Sequence, residues 1–138
     1  MKKQVQQTSD LQRDARLASH GKVPLLLIFS QVDCAFCERL KDEVINPMLI
    51  SGEYTHRVLI REFMIDDDEP VTDFDGRPID PMMVFHRYDL FVTPSVLILG
   101  HQGKELAERQ IGINTVDYYG YYLDTSIDQA LSKIRRSR

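Results

Sequence analysis

The chain has 138 residues, 43% hydrophobic and 28% charged, with a formal net charge of −4. That length and balance describe one folded domain with a real core and exclude a disordered chain. The mildly acidic charge argues against a nucleic-acid binder, which presents a basic surface, and no apolar run approaches the roughly 18–20 residues that cross a bilayer as a helix.

The N-terminal stretch "MKKQVQQTSDLQRDARLASHGK" has no apolar signal-peptide core, which taken alone places the chain in the cytoplasm. Ser9-Asp10 is expected to cap a helix running to about Ser19, with Ser9 and Gln12 at capping-box spacing, Leu11, Ala15 and Ala18 on one face, and His20-Gly21 as the stop. Val23 to Ser30 is a continuous apolar run of strand length, the mark of a central strand buried on both faces. Cys34 to Asn46 reads as an amphipathic helix: Phe36, Leu40, Val44 and Ile45 recur at helical spacing opposite Glu38, Arg39, Lys41, Asp42 and Glu43. Pro47 is expected to end or kink it, with Met48-Leu49-Ile50 adding a turn.

His56 to Ile65 is expected as a strand and "DDDEP" as a loop, followed by a small hairpin in "VTDFDGRPI" turning at Asp75-Gly76. Asp80 to Asp89 is a short helix whose apolar side is expected from Met83, Phe85 or His86, and Leu90. "TPSVLILG" is a strand opened by a proline, and "HQGKELAERQIG" a second strand after a tight turn at Gln102-Gly103. Asn114 or Thr115 caps a last helix carrying Val116, Tyr119, Leu123, Ile127, Leu131 and Ile134. Strands alternating with helices, then a terminal hairpin, imply an α/β fold: a mixed β-sheet with helices on both faces. The expected organisation is a single domain over 1–138, with a core of about 22–136 and an insert of about 66–80.

The chain's two cysteines stand in "DCAFCER". In the first turn of a helix that follows a buried strand, Cys34 meets unpaired backbone N–H groups and the positive end of the helix dipole, and both favour its thiolate. Cys37 lies one turn further in, placed to attack a mixed disulfide formed at Cys34. Cys34 is therefore the expected nucleophile and Cys37 the resolving thiol. A zinc site competes weakly, because four ligands are usual and His20, His56, His86 and His101 are scattered. A structural disulfide would close too short a loop to constrain the unfolded chain much. Two buried inert thiols are the third alternative. Copper handling lacks a histidine beside the motif. Calcium at Asp66 to Glu69, Asp73 and Asp75 fails the EF-hand spacing, so no metal site is expected.

Tyr118, Tyr119, Tyr121 and Tyr122 lack the basic surroundings of a base-stacking platform. Tyr119 and Tyr122 are expected to be partly buried, and Gly120 between them to mark a close contact. Met82, Met83 and Phe85 are expected in the core, with an apolar peptide-binding surface near the cysteines as the alternative.

Taken together, "LLLIFSQVDCAFCERLKDEV", then "VTPSVLIL", a glycine turn and a final helix resemble the thioredoxin-like family from about Val23 to Ile134. The closest variety is the exported bacterial SoxW type, which also carries an acidic insert with a "DFDG"-like hairpin. The resemblance implies a thioredoxin fold and a thiol-disulfide oxidoreductase, preferably a reductase of protein disulfides working through a mixed disulfide. No cofactor is then needed beyond the redox-active Cys34–Cys37 pair. The family's pattern makes Pro94 a cis-proline facing the cysteines and gives Thr93 backbone groups that receive an extended substrate; Ala35 and Phe36 complete the expected substrate-contacting set. Implied partners are protein thiols and disulfides, and a membrane thiol transporter or thioredoxin system that resets the pair. The resemblance also implies a periplasmic protein with its export signal removed, and a monomer, since no extra dimerisation domain is visible. A disulfide-introducing oxidant, a non-catalytic binding module and a cytoplasmic location remain as alternatives. The chain departs from the family at Asp33, where cytosolic thioredoxins carry tryptophan, at Ala35-Phe36 in place of Gly-Pro, and at Ile28, where they bury an aspartate. Asp33 and Glu38 are the carboxylates nearest in sequence, expected to be ordinary solvated residues; a charge at Asp33 would raise the Cys34 pKa against the pull of the helix. The acidic insert is expected near the active-site end.

Overall fold

The computed structural model describes residues 4–113 and 116–136; the expected helix cap at Asn114 or Thr115 lies outside them. Among the described residues, five strands form one sheet in the order β1-β3-β2-β6-β7: β1 (Gln6–Gln7), β2 (Leu25–Ser30), β3 (Leu59–Met64), β6 (Ser95–Leu99) and β7 (Gln110–Ile111). A second, two-stranded sheet joins β4 (Val71–Thr72) to β5 (Pro78–Ile79), the expected hairpin. The helices are α1 (Leu11–His20), α2 (Ala35–Leu40), α3 (Asn46–Ser51), α4 (Pro81–Arg87) and α5 (Val116–Arg136).

β2 is central because every one of its side chains is buried. It pairs parallel with β3, from Leu25↔Leu59 to Ser30↔Met64, and antiparallel with β6, from Leu25↔Leu99 to Phe29↔Ser95. Alternate residues of β2 feed two cores, one on each face. Leu26 and Ile28 face Leu40, Val44 and Ile45 after the cysteines, and Leu123 and Ile127 of α5. Leu27 and Phe29 face Leu11 of α1, Phe63, and Val84 and Phe85 of α4. Burying each such side chain contributes about 1.5–3 kcal/mol, which is what closes helices over both faces.

Several local expectations are corrected. The cap of α1 is Asp10, whose carboxylate accepts the Arg13 N–H at 2.9 Å; Ser9 does not form the capping box. β1, too short and polar to show a period, adds an edge strand that the sequence does not announce. Of the two outcomes expected at Pro47, an end or a kink, the helix after the cysteines does not end there, and Met48-Leu49-Ile50 add the expected turn. The chain runs through a wide turn at Lys41–Ile45, where the Asn46 N–H reaches back to the Lys41 carbonyl, and Pro47 sits in the first turn of α3. A proline has no N–H to continue the ordinary ladder, so a widened turn absorbs it. The expected long strand over "HQGKELAERQIG" shrinks to β7 and a single bridge at Glu105. Leu106 donates its N–H to Ile98 but turns its side chain against Gly100, which breaks the alternation.

Met83 is exposed, and Val84, Phe85 and Leu90 supply the buried side of the α4 segment, with Met82 half-buried against it. Tyr122 is exposed rather than half-buried, while Tyr119 is buried as expected. Gly120 marks no tight contact: a methyl group there would meet Val44 Cγ1 at 4.0 Å, an ordinary distance. Gly103 does mark one. Its φ is +86°, and a Cβ would fall 2.6 Å from the Phe74 ring and 2.7 Å from the Tyr88 hydroxyl. Arg87 grips Asp73 with two hydrogen bonds (2.7 and 2.9 Å) and thereby holds its carboxyl below the usual range. The hairpin tip is thus fastened beside the turn that follows β6.

Candidate active site

Asp33 has a φ of 58°, a left-handed backbone that aspartate tolerates better than most residues, and it turns the chain out of β2 into α2. Cys34 follows as the residue capping α2, with its Sγ accepting the Cys37 N–H at 3.1 Å. Cys34 and Cys37 are joined as a disulfide. Their exposures differ sharply: Cys34 is half-buried, and Cys37 is 1% exposed. An incoming group meets Cys34 first.

The 92–95 loop supplies the opposite wall. Thr93 Oγ1 lies 3.5 Å from Cys34 Sγ, and the Thr93 carbonyl oxygen lies 3.8 Å from it. The Thr93–Pro94 peptide is cis. Ser95 donates its hydroxyl to the Val92 carbonyl at 2.6 Å, and the Gly112 N–H donates to the Pro94 carbonyl at 2.7 Å. These bonds fasten the loop to β6 and to the chain just beyond β7. Cys34, Cys37, Thr93 and Pro94 therefore meet in one place, although 59 residues separate Cys34 from Thr93. Ala35 and Phe36 are exposed on the first turn of α2, Phe36 at 59%.

Neither Asp33 nor Glu38 is buried beside the sulfurs; both carboxylates are exposed, and Glu38 pairs with Lys41. Ile28 is fully buried in the position where a family aspartate would lie.

Some contributions were not legible. Asp66 braces the loop before the cysteines by accepting the Val32 N–H at 3.0 Å, so the acidic run begins at the cysteine end. The hairpin tip does not stay there, because its Phe74 packs against Gly103, beyond the opposite end of β6. The insert as a whole is therefore not gathered at the cysteines. Phe91 and Val92 are exposed apolar residues directly before Thr93, and the fragment "LFVTP" carried that signal. Among the described residues, no three His, Cys, Asp or Glu side chains are gathered to hold a metal ion, and no helix is long and apolar enough to cross a membrane.

The model of the thioredoxin-like domain family matches residues 11–127. No curated protein matches the sequence. Among solved structures, a DsbH oxidoreductase superposes with a TM-score of 0.64 at 16% identity, covering 93% of this chain and 85% of its own. Mitochondrial thioredoxin 3 of Saccharomyces cerevisiae, in its oxidized form, gives 0.59 at 14% identity, covering 90% and 93%. The periplasmic thioredoxin SoxS of Paracoccus pantotrophus, in its reduced form, gives 0.52 at 21% identity, covering 78% and 98%. At these identities the likeness is one of fold.

Proposed function

The chain belongs to the thioredoxin-like family, and from that premise we propose that it reduces protein disulfides through Cys34 and Cys37. The observation that carries the reading is the asymmetry of the pair: Cys34 caps α2 beside Thr93 and is open to a partner, while Cys37 is shielded behind it. In the reduced protein, the Cys34 thiolate attacks one sulfur of a substrate disulfide. A mixed disulfide forms, and the other substrate sulfur leaves as a thiolate that takes up a proton. Cys37 then loses its proton and attacks Cys34 Sγ, which re-forms the internal disulfide and releases the second substrate thiolate. Two electrons pass to the substrate and none are stored elsewhere, so the two cysteines suffice without a cofactor.

Thr93, Pro94, Ala35 and Phe36 are the proposed contacts for the extended substrate around its cysteine. A membrane thiol transporter or a thioredoxin system would return the two electrons. The proposed setting is the bacterial periplasm, and the proposed state a monomer. The SoxW-type kinship and the exported location rest on the sequence motifs and on similarity to proteins that include a periplasmic thioredoxin.

The test mixes an excess of the reduced protein with a disulfide-bonded protein and counts the new thiols on that substrate. Wild type is expected to reduce the substrate, Cys34→Ser to be inactive, and Cys37→Ser to accumulate a mixed disulfide through Cys34. An active Cys34→Ser variant would overturn the assignment. Direction is read from the reduction potential: a value near about −270 mV suits a reductase, whereas one near about −120 mV marks an oxidant that introduces disulfides.

A further inference from the structure

Glu62 has no place in the scheme above, yet it is buried at 2% exposure under the helix that carries the cysteines. On β3 it pairs in register with Ile28, so its side chain shares the sheet face covered by α2. Its charged partner is Lys41, whose Nζ lies 2.9 Å from Glu62 Oε2 and 2.9 Å from Glu38 Oε1. Lys41 is itself largely covered, at 16% exposure. The Lys41 N–H bonds back to the Cys37 carbonyl, one helical turn away. Residues four apart in a helix are neighbours, with Cβ atoms about 5–6 Å apart. Lys41 therefore lies one helical turn beyond Cys37 and carries the buried carboxylate as its ion-pair partner.

Stability gives little reason for this arrangement, because burying an ion pair roughly cancels its own attraction against desolvation. Burial alone would lower the Lys41 pKa, but its hydrogen bonds to Glu38 and Glu62 outweigh that and raise it, so Lys41 stays charged. A polar cavity of about 160 Å³, bordered by Gln7, Glu38, Lys41, Asp42, Asn46 and Glu62, adjoins the pair. The charged groups around Glu62 are therefore Lys41, Glu38 and Asp42 from the helix side. β1 contributes the neutral Gln7, whose Nε2 donates to Glu62 Oε1 at 3.5 Å, and β2 contributes the apolar Ile28.

We propose that Lys41 and Glu62 form a buried charge pair that sets the redox balance of Cys34 and Cys37, acting through Cys37. The inference rests on the thiol-disulfide reading. The disulfide is uncharged and does not feel the pair, while a thiolate of the reduced state does. Lys41 stabilises that thiolate, and Glu62 opposes it while fixing Lys41 in place. Stabilising the reduced form makes a disulfide a stronger oxidant. The two residues are positioning groups with opposite signs, and their removal has opposite effects.

Equilibration with glutathione at pH 7, followed by alkylation of free thiols, reads this directly. Glu62→Gln is expected to favour the reduced form about tenfold, which is about +30 mV for a two-electron couple. Lys41→Met is expected to favour the disulfide by a similar factor. The double variant is expected within about threefold of wild type. The pH midpoint for Cys34 alkylation should move down in Glu62→Gln and up in Lys41→Met. Shifts of the same sign in both, or shifts below twofold in both, would overturn the proposal. If Lys41→Met does not fold, Glu62→Gln against the double variant carries the same test: loss of Lys41 must favour the disulfide. A wild-type protein that never exchanges with glutathione would instead sink the thiol-disulfide reading, and the inference with it.

Discussion

Asp33 does two things at once. Its left-handed backbone delivers Cys34 to the start of α2, and its carboxylate places a negative charge beside the proposed nucleophile. Asn tolerates the same backbone region, so Asp33→Asn separates the two roles. A unit charge several ångströms away through a partly aqueous medium is worth a few tenths of a kcal/mol to about 1. Asp33→Asn is therefore expected to speed alkylation of reduced Cys34 at pH 7 about two- to fourfold, with an unchanged melting temperature. An identical pH profile would mean that solvent screens the charge completely. At this scale the sequence was most legible where chemistry depends on spacing, at the cysteine pair; the position of Thr93-Pro94 opposite it came from the family resemblance and not from a local reading. Asp66, Ser95 and Glu62 were not legible. Asp66 acts on Val32, Ser95 on the Val92 carbonyl, and Glu62 on Lys41. A carboxylate looks the same in a sequence whether it is solvated or held by a lysine from another element.

Among the elements, α5 is the longest and carries its core on one seam of Tyr119, Leu123, Ile127 and Ala130. Gly120 interrupts it with no evident need, since a methyl there stays 4.0 Å from Val44. Gly120→Ala is expected to stabilise the protein by about 0.5–1 kcal/mol, raising the melting temperature by about 2–4 °C. A lower melting temperature would show that the α5 contact with Val44 has no room. The elements with strong periodicity were readable: the fully buried β2, the amphipathic helix from Cys34, and the hairpin with glycine at its turn. Those ruled by distant partners were not. β7 lost its length because the chain around Leu106 packs against Gly100 instead of continuing the ladder. The wide turn at Lys41–Ile45 follows from Pro47, but nothing local says whether a proline stops a helix or is absorbed by it.

Seen whole, the molecule keeps its two cores closed on opposite faces of the sheet and leaves apolar groups exposed around the cysteine end. Phe91 is 84% exposed, and Phe36, Val32 and Val92 are exposed as well. All four lie within two residues of Cys34 or Thr93. An exposed apolar rim beside a reactive sulfur fits a partner that brings its own side chains. Phe91→Ser is expected to raise the KM for a protein disulfide about three- to tenfold, the equivalent of losing roughly half a buried phenylalanine side chain. Exchange with glutathione, which is too small to span the rim, should stay the same. Equal losses on both would show that Phe91 holds the 92–95 loop rather than the partner.

The sheet's margins carry one further consequence. β1 and β7 are each only two residues long, so neither border offers a ladder on which a foreign strand can extend. Under the proposed function, client chains with unsettled disulfides would bring exposed backbone to every encounter, and a long open border would invite those chains to zip on and stay. With both borders cut short, an encounter has nowhere to spread. It is held at the sulfur for as long as the bond exchange lasts, and it ends when that bond is cut.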